Sequence, residues 1–303
     1  MTVREILELY RKVYMKTNLK PTTYRSYSVN IDNHLIPYIG DKDPETLTCF
    51  DIDELVANIA TERINNTTIA YALRVLKQAL RFAQRRQYIR VNIMDSYDMP
   101  KKSSFTYTIL TADQMDSLLA YLKETGNDIY FAVLMASWYG LRRGECMGLM
   151  SSDILENVCS IRRTTHFEHG DFQTTSCKTE KSKRDILLSE LHLQEIREYD
   201  SVRAKNREGY MLRDFEGNRI TQNMLQLRYK AALEALELPR VRFHDLRHSY
   251  ATVMLRNGVN PKIVSSVLGH SSIGITMDLY SHADISMQKA CLDVMEKHLP
   301  NNG

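Results

Sequence analysis

Over one stretch of this chain, Val158 to Leu188, apolar residues stop recurring every three or four positions and begin to alternate. CSIRRTTHFE, HGD, FQTTS and KRDILL read there as three strands with turn chemistry between them. On either side the spacing is helical, and no internal repeat or low-complexity tract interrupts it. Helices, a small sheet and helices again make this part of the chain mixed and mainly α. The fold class is therefore α+β, mainly α with a small antiparallel β-sheet.

Residues 1–95 read as nearly all helix. Ile6, Leu7, Leu9, Tyr10 and Val13 open with helical spacing, and Pro21 then stands where a second helix can begin and run to Gly40. DIDELVANIA is a short third helix. The fourth, from about Thr68 to Arg90, carries one apolar stripe: Ile69, Leu73, Leu76, Leu80 and Ala83. Arg74, Lys77, Arg81 and Arg85 fall on a flanking face, either as an ordinary solvated row or as a row that tracks a phosphate backbone. Residues 96–110, with Pro100, Lys101, Lys102, Ser103 and Ser104, have the composition of an interdomain linker. A second domain, 111–303, opens on a Thr111–Gln114 capping box ahead of TADQMDSLLAYL. IYFAVLMASWYG follows, apolar nearly all round and so buried, with Gly140 as its C-cap. LRRGECMGLM is short and helical. Beyond the sheet, SELHLQEIREYDSV, TQNMLQLRYKAALEALEL and short pieces to about residue 299 are helical again.

Charge excludes a uniformly basic nucleic-acid binder. Residues 1–95 carry 14 Lys and Arg against 11 Asp and Glu, and residues 106–303 carry 24 against 25. Any nucleic-acid surface must come from local clustering. Five scattered cysteines without a C-x-x-C pair fit a reducing cytoplasm rather than a disulfide framework or a cysteine-rich zinc site. No apolar run approaches the ~20 residues that span a bilayer, and the charged amphipathic start is no secretory signal.

FHDLRHSYAT, residues 243 to 252, admits two chemistries. His244 and His248 have the spacing that puts two imidazoles on one helical face to bind zinc. Yet the acid after the first His is Asp245, not Glu, and Arg247 shares the His244 side, where its charge would oppose a metal. A His–Arg pair suits a phosphate better, and that reading predicts more cations and a nucleophile. Arg142 and Arg143 follow Gly140, out of so apolar a context that an Arg needs an anion or an acid; Glu145 stands three residues after Arg142. Lys178 lies between candidate strands with Lys181, Lys183 and Arg184, an ordinary solvated cluster taken alone. His270 closes VLGH, and Tyr280 comes ten residues later. A phenol oxygen can attack a DNA phosphodiester and hold the strand as a phosphotyrosine, conserving the bond energy. Two guanidiniums clamp the oxygens of the pentacoordinate transition state.

Taken together, YGLRRGE, CKTEKSKRDI, HDLRHSYAT, LGHSS and TMDLYSH resemble the tyrosine recombinases, the phage integrase family, in order and approximate spacing. The resemblance covers essentially the whole chain, more vaguely over residues 1–95. It implies an all-helical, SAM-like core-binding domain and a mixed catalytic domain closing as a C-shaped clamp on DNA. By resemblance, Tyr280 is the nucleophile, Arg142 and Arg247 bind the phosphate, and Lys178 is the general acid. His244 assists proton transfer and His270 hydrogen-bonds the phosphate. Glu145 and His248 support the site, as does His282, while Arg143 points elsewhere. Arg74, Lys77 and Arg81 become DNA contacts. The implied cofactor set is empty: neither metal nor nucleotide is required.

The implied partners are double-stranded core sites with inverted repeats and further copies of this chain, a dimer on each site and a tetramer in the synapse. Met287, Ala290, Cys291, Val294 and Met295 form an apolar face on a last helix suited to exchange between copies. Accessory DNA-bending or directionality proteins are further expected partners, and the expected place is the cytoplasm, at the nucleoid. Integration by a mobile element is the favoured setting. Two alternatives stay open: a type IB topoisomerase-like nicking-closing enzyme, and a non-catalytic DNA-binding regulator.

Overall fold

The computed structural model describes residues 1–61, 64–100, 108–176, 182–269 and 274. The chain divides into two compact units, Met1–Thr106 and Tyr107–Gly303.

The first unit is helical throughout its described residues. Helix α1 (Val3–Leu9) starts on a capping box in which Thr2 and Glu5 satisfy each other's backbone N–H, and it runs on through a wider π turn, Tyr10–Met15. Helix α2 (Pro21–Asn30) begins on Pro21, as the sequence predicts. It does not reach Gly40 unbroken. Pro37 has no N–H to donate and its ring crowds the preceding turn; a π turn, Ile31–Leu35, lies just ahead of the final turn Ile36–Ile39 that contains it. Helix α3 spans Cys49–Thr61 and helix α4 Asn66–Arg85.

Asn65 caps α4 by accepting the Thr68 N–H at 2.9 Å. The helix stops at Arg85 rather than Arg90, because Gln87 takes a left-handed backbone (φ 61°) that no helix can continue. Its buried face is also wider than the expected stripe, adding Ala72, Val75, Ala79 and Phe82. Ile6, Leu7, Ile31, Leu35, Ile52, Leu55, Leu73 and Leu76 meet in this unit's core, on which Tyr97 and Met99 also pack.

In the second unit, α5 (Ala112–Glu124) starts on the expected Thr111–Gln114 box. Helix α6 (Tyr130–Trp138) is buried from Tyr130 to Ser137, with Trp138 exposed at its end. Gly140 then takes φ 65° and the Leu141 N–H reaches back to the Met135 carbonyl at 3.1 Å, which closes the helix and turns the chain. Helix α7 (Arg143–Gly148) follows at once. A Cβ on Gly144 would lie 2.2 Å from Thr164 Oγ1, so glycine is what lets α7 lie against the sheet region.

Among the described residues five strands, not three, follow α7: β1 (Ile154–Leu155), β2 (Val158–Ile161), β3 (Arg163–Glu168), β4 (Asp171–Ser176) and β5 (Arg184–Leu187). They make an antiparallel sheet of order β1-β2-β5 and a separate β3-β4 hairpin. CSIRRTTHFE reads as one strand, but the chain changes sheets at Arg162, whose side chain bonds the Arg184 carbonyl (3.1 Å) and the Asp185 carboxylate (2.6 Å). His169 and Gly170 both have positive φ, the two-residue turn that suits strand twist.

Helices α8 (Glu190–Ser201), α9 (Gln222–Ala235), α10 (Asp245–Arg256) and α11 (Pro261–Leu268) complete the described unit. The main core gathers α5, α6, the sheet, α8 and α9, while Ala251, Leu255, Val264 and Leu268 join α10 to α11. The Leu110 N–H donates to Ser249 Oγ at 3.0 Å, which fastens the entry of this unit to α10.

Candidate active site

The segment FHDLRHSYAT forms the start of α10, and its charges are dealt with one by one. Asp245, 4% exposed, accepts from the Arg242 backbone N–H (3.0 Å), Nε (2.9 Å) and Nη2 (2.9 Å). It is thereby committed to a guanidinium fork. The rings of His244 and His248 meet edge to face with centroids 5.3 Å apart. Partial burial and then the Arg247 charge hold His244 below its ordinary value. Burial and then His244 push His248 down to about 4.

Arg247 sits one turn into α10 and is 2% exposed. Its Nη1 donates to the Gly140 carbonyl at 2.6 Å and its Nη2 to the Leu268 carbonyl at 2.7 Å. Burial and then the nearby Arg142 charge lower it to about 9, still protonated at neutral pH.

Arg142 caps α7. Its Nη1 meets Glu145 Oε1 at 2.8 Å, its backbone N–H meets Oε2 at 2.9 Å, and its Nη2 donates to the Gly269 carbonyl at 3.2 Å. The pairing of Arg142 with Glu145 expected from their spacing is present, and the neighbouring Arg143 is exposed.

Glu145 has a second partner that sequence reasoning missed. Arg184, in β5, grips both of its oxygens, Nη1 to Oε1 at 3.1 Å and Nη2 to Oε2 at 2.9 Å. Its Nε donates to the Val267 carbonyl at 2.6 Å. Burial alone would raise the Glu145 carboxyl. Arg184, Arg142 and the Arg142 backbone N–H outweigh it, leaving Glu145 below the usual carboxylate range.

The three arginines thus take three consecutive carbonyls at the end of α11: Arg184 on Val267, Arg247 on Leu268, Arg142 on Gly269. Gly269 permits this by adopting φ 65°. Among the described residues, three guanidiniums meet here around one carboxylate.

Comparison with known proteins fixes the family. The phage integrase family matches residues 108–287, and the phage integrase N-terminal SAM-like domain matches residues 2–56. The chain belongs to the phage integrase family. A relative named tyrosine recombinase XerC-like, from Caldanaerobacter subterraneus subsp. tengcongensis, is 29% identical over 192 residues, 55% of this chain and 49% of that protein. The chain therefore spans about half the length of that relative. The transposase from transposon Tn916 of Enterococcus faecalis is 24% identical over 292 residues, 86% of this chain and 69% of that one. Among solved structures, the Tn1549 transposon integrase in complex with a circular intermediate DNA superposes with a TM-score of 0.83 at 20% identity, covering 97% of this chain and 99% of that one. That likeness establishes the tyrosine recombinase fold.

Within this family member, Lys178, His270 and Tyr280 lie outside the described residues, as do Lys181, His282 and the apolar face from Met287 to Met295. The other candidates on the catalytic side are brought together: Arg142, Glu145, His244, Arg247 and His248 occupy α7 and the first turns of α10. In the first unit, Arg74 is exposed, with its guanidinium 5.9 Å from the Tyr71 ring centroid. Lys77 and Arg81 instead share the Asp95 carboxylate at 3.1 and 3.0 Å, and Lys77 also donates to the Met94 carbonyl at 2.8 Å. These two thus help hold the chain beyond α4. No helix among the described residues is long and apolar enough to cross a membrane.

Proposed function

We propose that this tyrosine recombinase cuts and rejoins double-stranded DNA at a specific core site through a covalent link to Tyr280. The observation that carries the proposal is the charge imbalance at the end of α11. Three guanidiniums around one carboxylate leave a net positive cluster, and such a cluster is costly unless an anion completes it. A scissile phosphate has the charge and the two non-bridging oxygens to do so. Arg142 is placed to meet it, since its side chain remains 35% exposed.

In the forward step the Tyr280 phenol oxygen attacks phosphorus and its proton passes toward His244, whose lowered pKa keeps it neutral and able to accept. The bond from phosphorus to the 5′-oxygen breaks. Lys178 gives that leaving oxygen a proton, producing a 3′-phosphotyrosyl link and a free 5′-hydroxyl. Arg142 and Arg247 stabilise the added charge on the pentacoordinate phosphate, His270 hydrogen-bonds it, and Glu145 and His248 hold the arginines and His244 in place. The phosphotyrosine preserves the energy of the broken bond, so a 5′-hydroxyl from the partner site can reverse the chemistry without a nucleotide. Pairs of strands then exchange through a Holliday junction, with two copies on each core site and four in the synapse.

The helical unit, residues 1–95, binds the same DNA, with the exposed Arg74 among its described cations. Likeness to the Tn916 transposase and the Tn1549 integrase favours integration and excision of a mobile element over other recombinations. A nicked suicide substrate tests the proposal. It should trap a covalent protein–DNA adduct that forms in the presence of a chelator. Replacing Tyr280→Phe should abolish the adduct, and an adduct that persists in that variant rejects the assignment.

A further inference from the structure

We propose that Arg184 is a positioning residue for strand cleavage, acting through Glu145 to keep Arg142 in place and the cluster net positive. The inference rests on Arg142 binding the scissile phosphate.

Two features of the geometry point to it. First, Arg184 ties together the three segments from which the site is built. One guanidinium holds Glu145 of α7 by both oxygens, the Val267 carbonyl of α11, and the Ser182 carbonyl at 3.2 Å just ahead of β5. The last of these is on the chain that leads from the lysine-bearing connection into the sheet. A planar fork of five fixed donors can make this set of bonds, whereas a lysine ammonium has one point of charge and no fork.

Second, Glu145 is divided. Its Oε1 accepts from both Arg142 (2.8 Å) and Arg184 (3.1 Å), so one negative charge faces two positive ones. If Arg184 were neutral, Glu145 would answer Arg142 alone, and the pair would have little positive charge left for a phosphate. Arg184 commits four of its five donors to Val267, Ser182 and the two Glu145 oxygens, so it acts on the site through those partners and not as a ligand of DNA. Its effect has to travel through Glu145.

The test compares Arg184→Gln, Arg184→Lys, Glu145→Gln and the double variant Arg184→Gln with Glu145→Gln in this chain, using a nicked suicide duplex. Two quantities are read: duplex affinity and the single-turnover rate of adduct formation, with a thermal melt to report folding. Arg184→Gln is expected to slow adduct formation by about 100-fold, while affinity changes by no more than about 3-fold, since most phosphate contacts lie elsewhere. Arg184→Lys restores the charge without the fork and should recover part of the rate. The double variant should be no slower than the slower of the two single variants, because Arg184 acts through Glu145; non-additivity of this kind marks residues acting as one unit.

Wild-type cleavage by Arg184→Gln overturns the inference, as does a double variant slowed by the product of the two single losses. Equal losses of affinity and rate would reduce Arg184 to a structural staple. If Arg184→Gln does not fold, Arg184→Lys carries the comparison, and a rate equal to wild type at unchanged melting overturns it. An adduct surviving Tyr280→Phe would instead reject the proposed function, so the two failures are told apart.

Discussion

The two units handle charge in opposite ways. In the first, a core of aliphatic and aromatic side chains is wrapped by ion pairs at the surface, such as Arg4 with Asp41 and the Lys77–Asp95–Arg81 triad. Each is solvated, and each carboxylate has a cation to answer it. In the second, Glu145 and Arg184 are paired with side-chain exposures of 4% and 7%, with Arg247 buried beside them. Solvated pairs contribute little and are replaceable; a desolvated cluster with surplus positive charge is tolerated because it has work to do. The contrast separates a surface that keeps a helical domain in register from a site prepared for an anion.

Removing Glu145 should break this contrast most strongly. Glu145→Gln leaves the desolvated Arg184 without its counter-charge and is expected to cost about 3–5 kcal/mol in denaturant unfolding. Next comes acidity. The unfolded chain protonates His248 near its ordinary value of 6.5, whereas the folded site resists protonation down to about 4. The unfolded state therefore binds more protons in that window, and stability falls as pH drops through it, by about 3 kcal/mol when complete. His244 shifts in the same direction. Chemical denaturation of wild type and His248→Gln at pH 7 and pH 4.5 checks this: the variant should lose markedly less.

A smaller effect is expected at Gly140. Its φ of 65° disfavours any side chain, and a Cβ there would stand 2.3 Å from Leu268 Cδ2. Gly140→Ala should lower stability by about 2 kcal/mol and slow adduct formation, since the Gly140 carbonyl receives Arg247. The smallest is Arg81→Ala in the first unit, at most about 1 kcal/mol by thermal melting. A larger loss there would erase the distinction between the units.

Much of this was legible from residue order, because local rules decide it. Capping at Thr111, the turn at Gly140 and the Arg142–Glu145 pair all follow from spacing within one helical turn. Arg184 was not, although R-D-I-L alternates and the register pairs Arg184 with Ile161 and Ile186 with Cys159. An inward-facing Arg is rare enough that charge argued for the solvated hairpin instead. Only its distant partner, 39 residues back at Glu145, makes the burial possible, and no local pattern announces such a partner. The break between β2 and β3 was hidden for the same reason: Arg162 and Arg163 look alike in a strand, and cross-strand pairing alone separates them.

Helix α11 sets a gauge for the whole site. It is capped at its start by Asn260, and its last carbonyls are each read by a different arginine. Adding or deleting one residue between Asn260 and Gly269 would turn those carbonyls by about 100° and leave all three guanidiniums facing the wrong atoms. Length, more than composition, is what this helix has to conserve. The two-residue turn at His169–Gly170 bears no such reading and should accept insertions that α11 cannot.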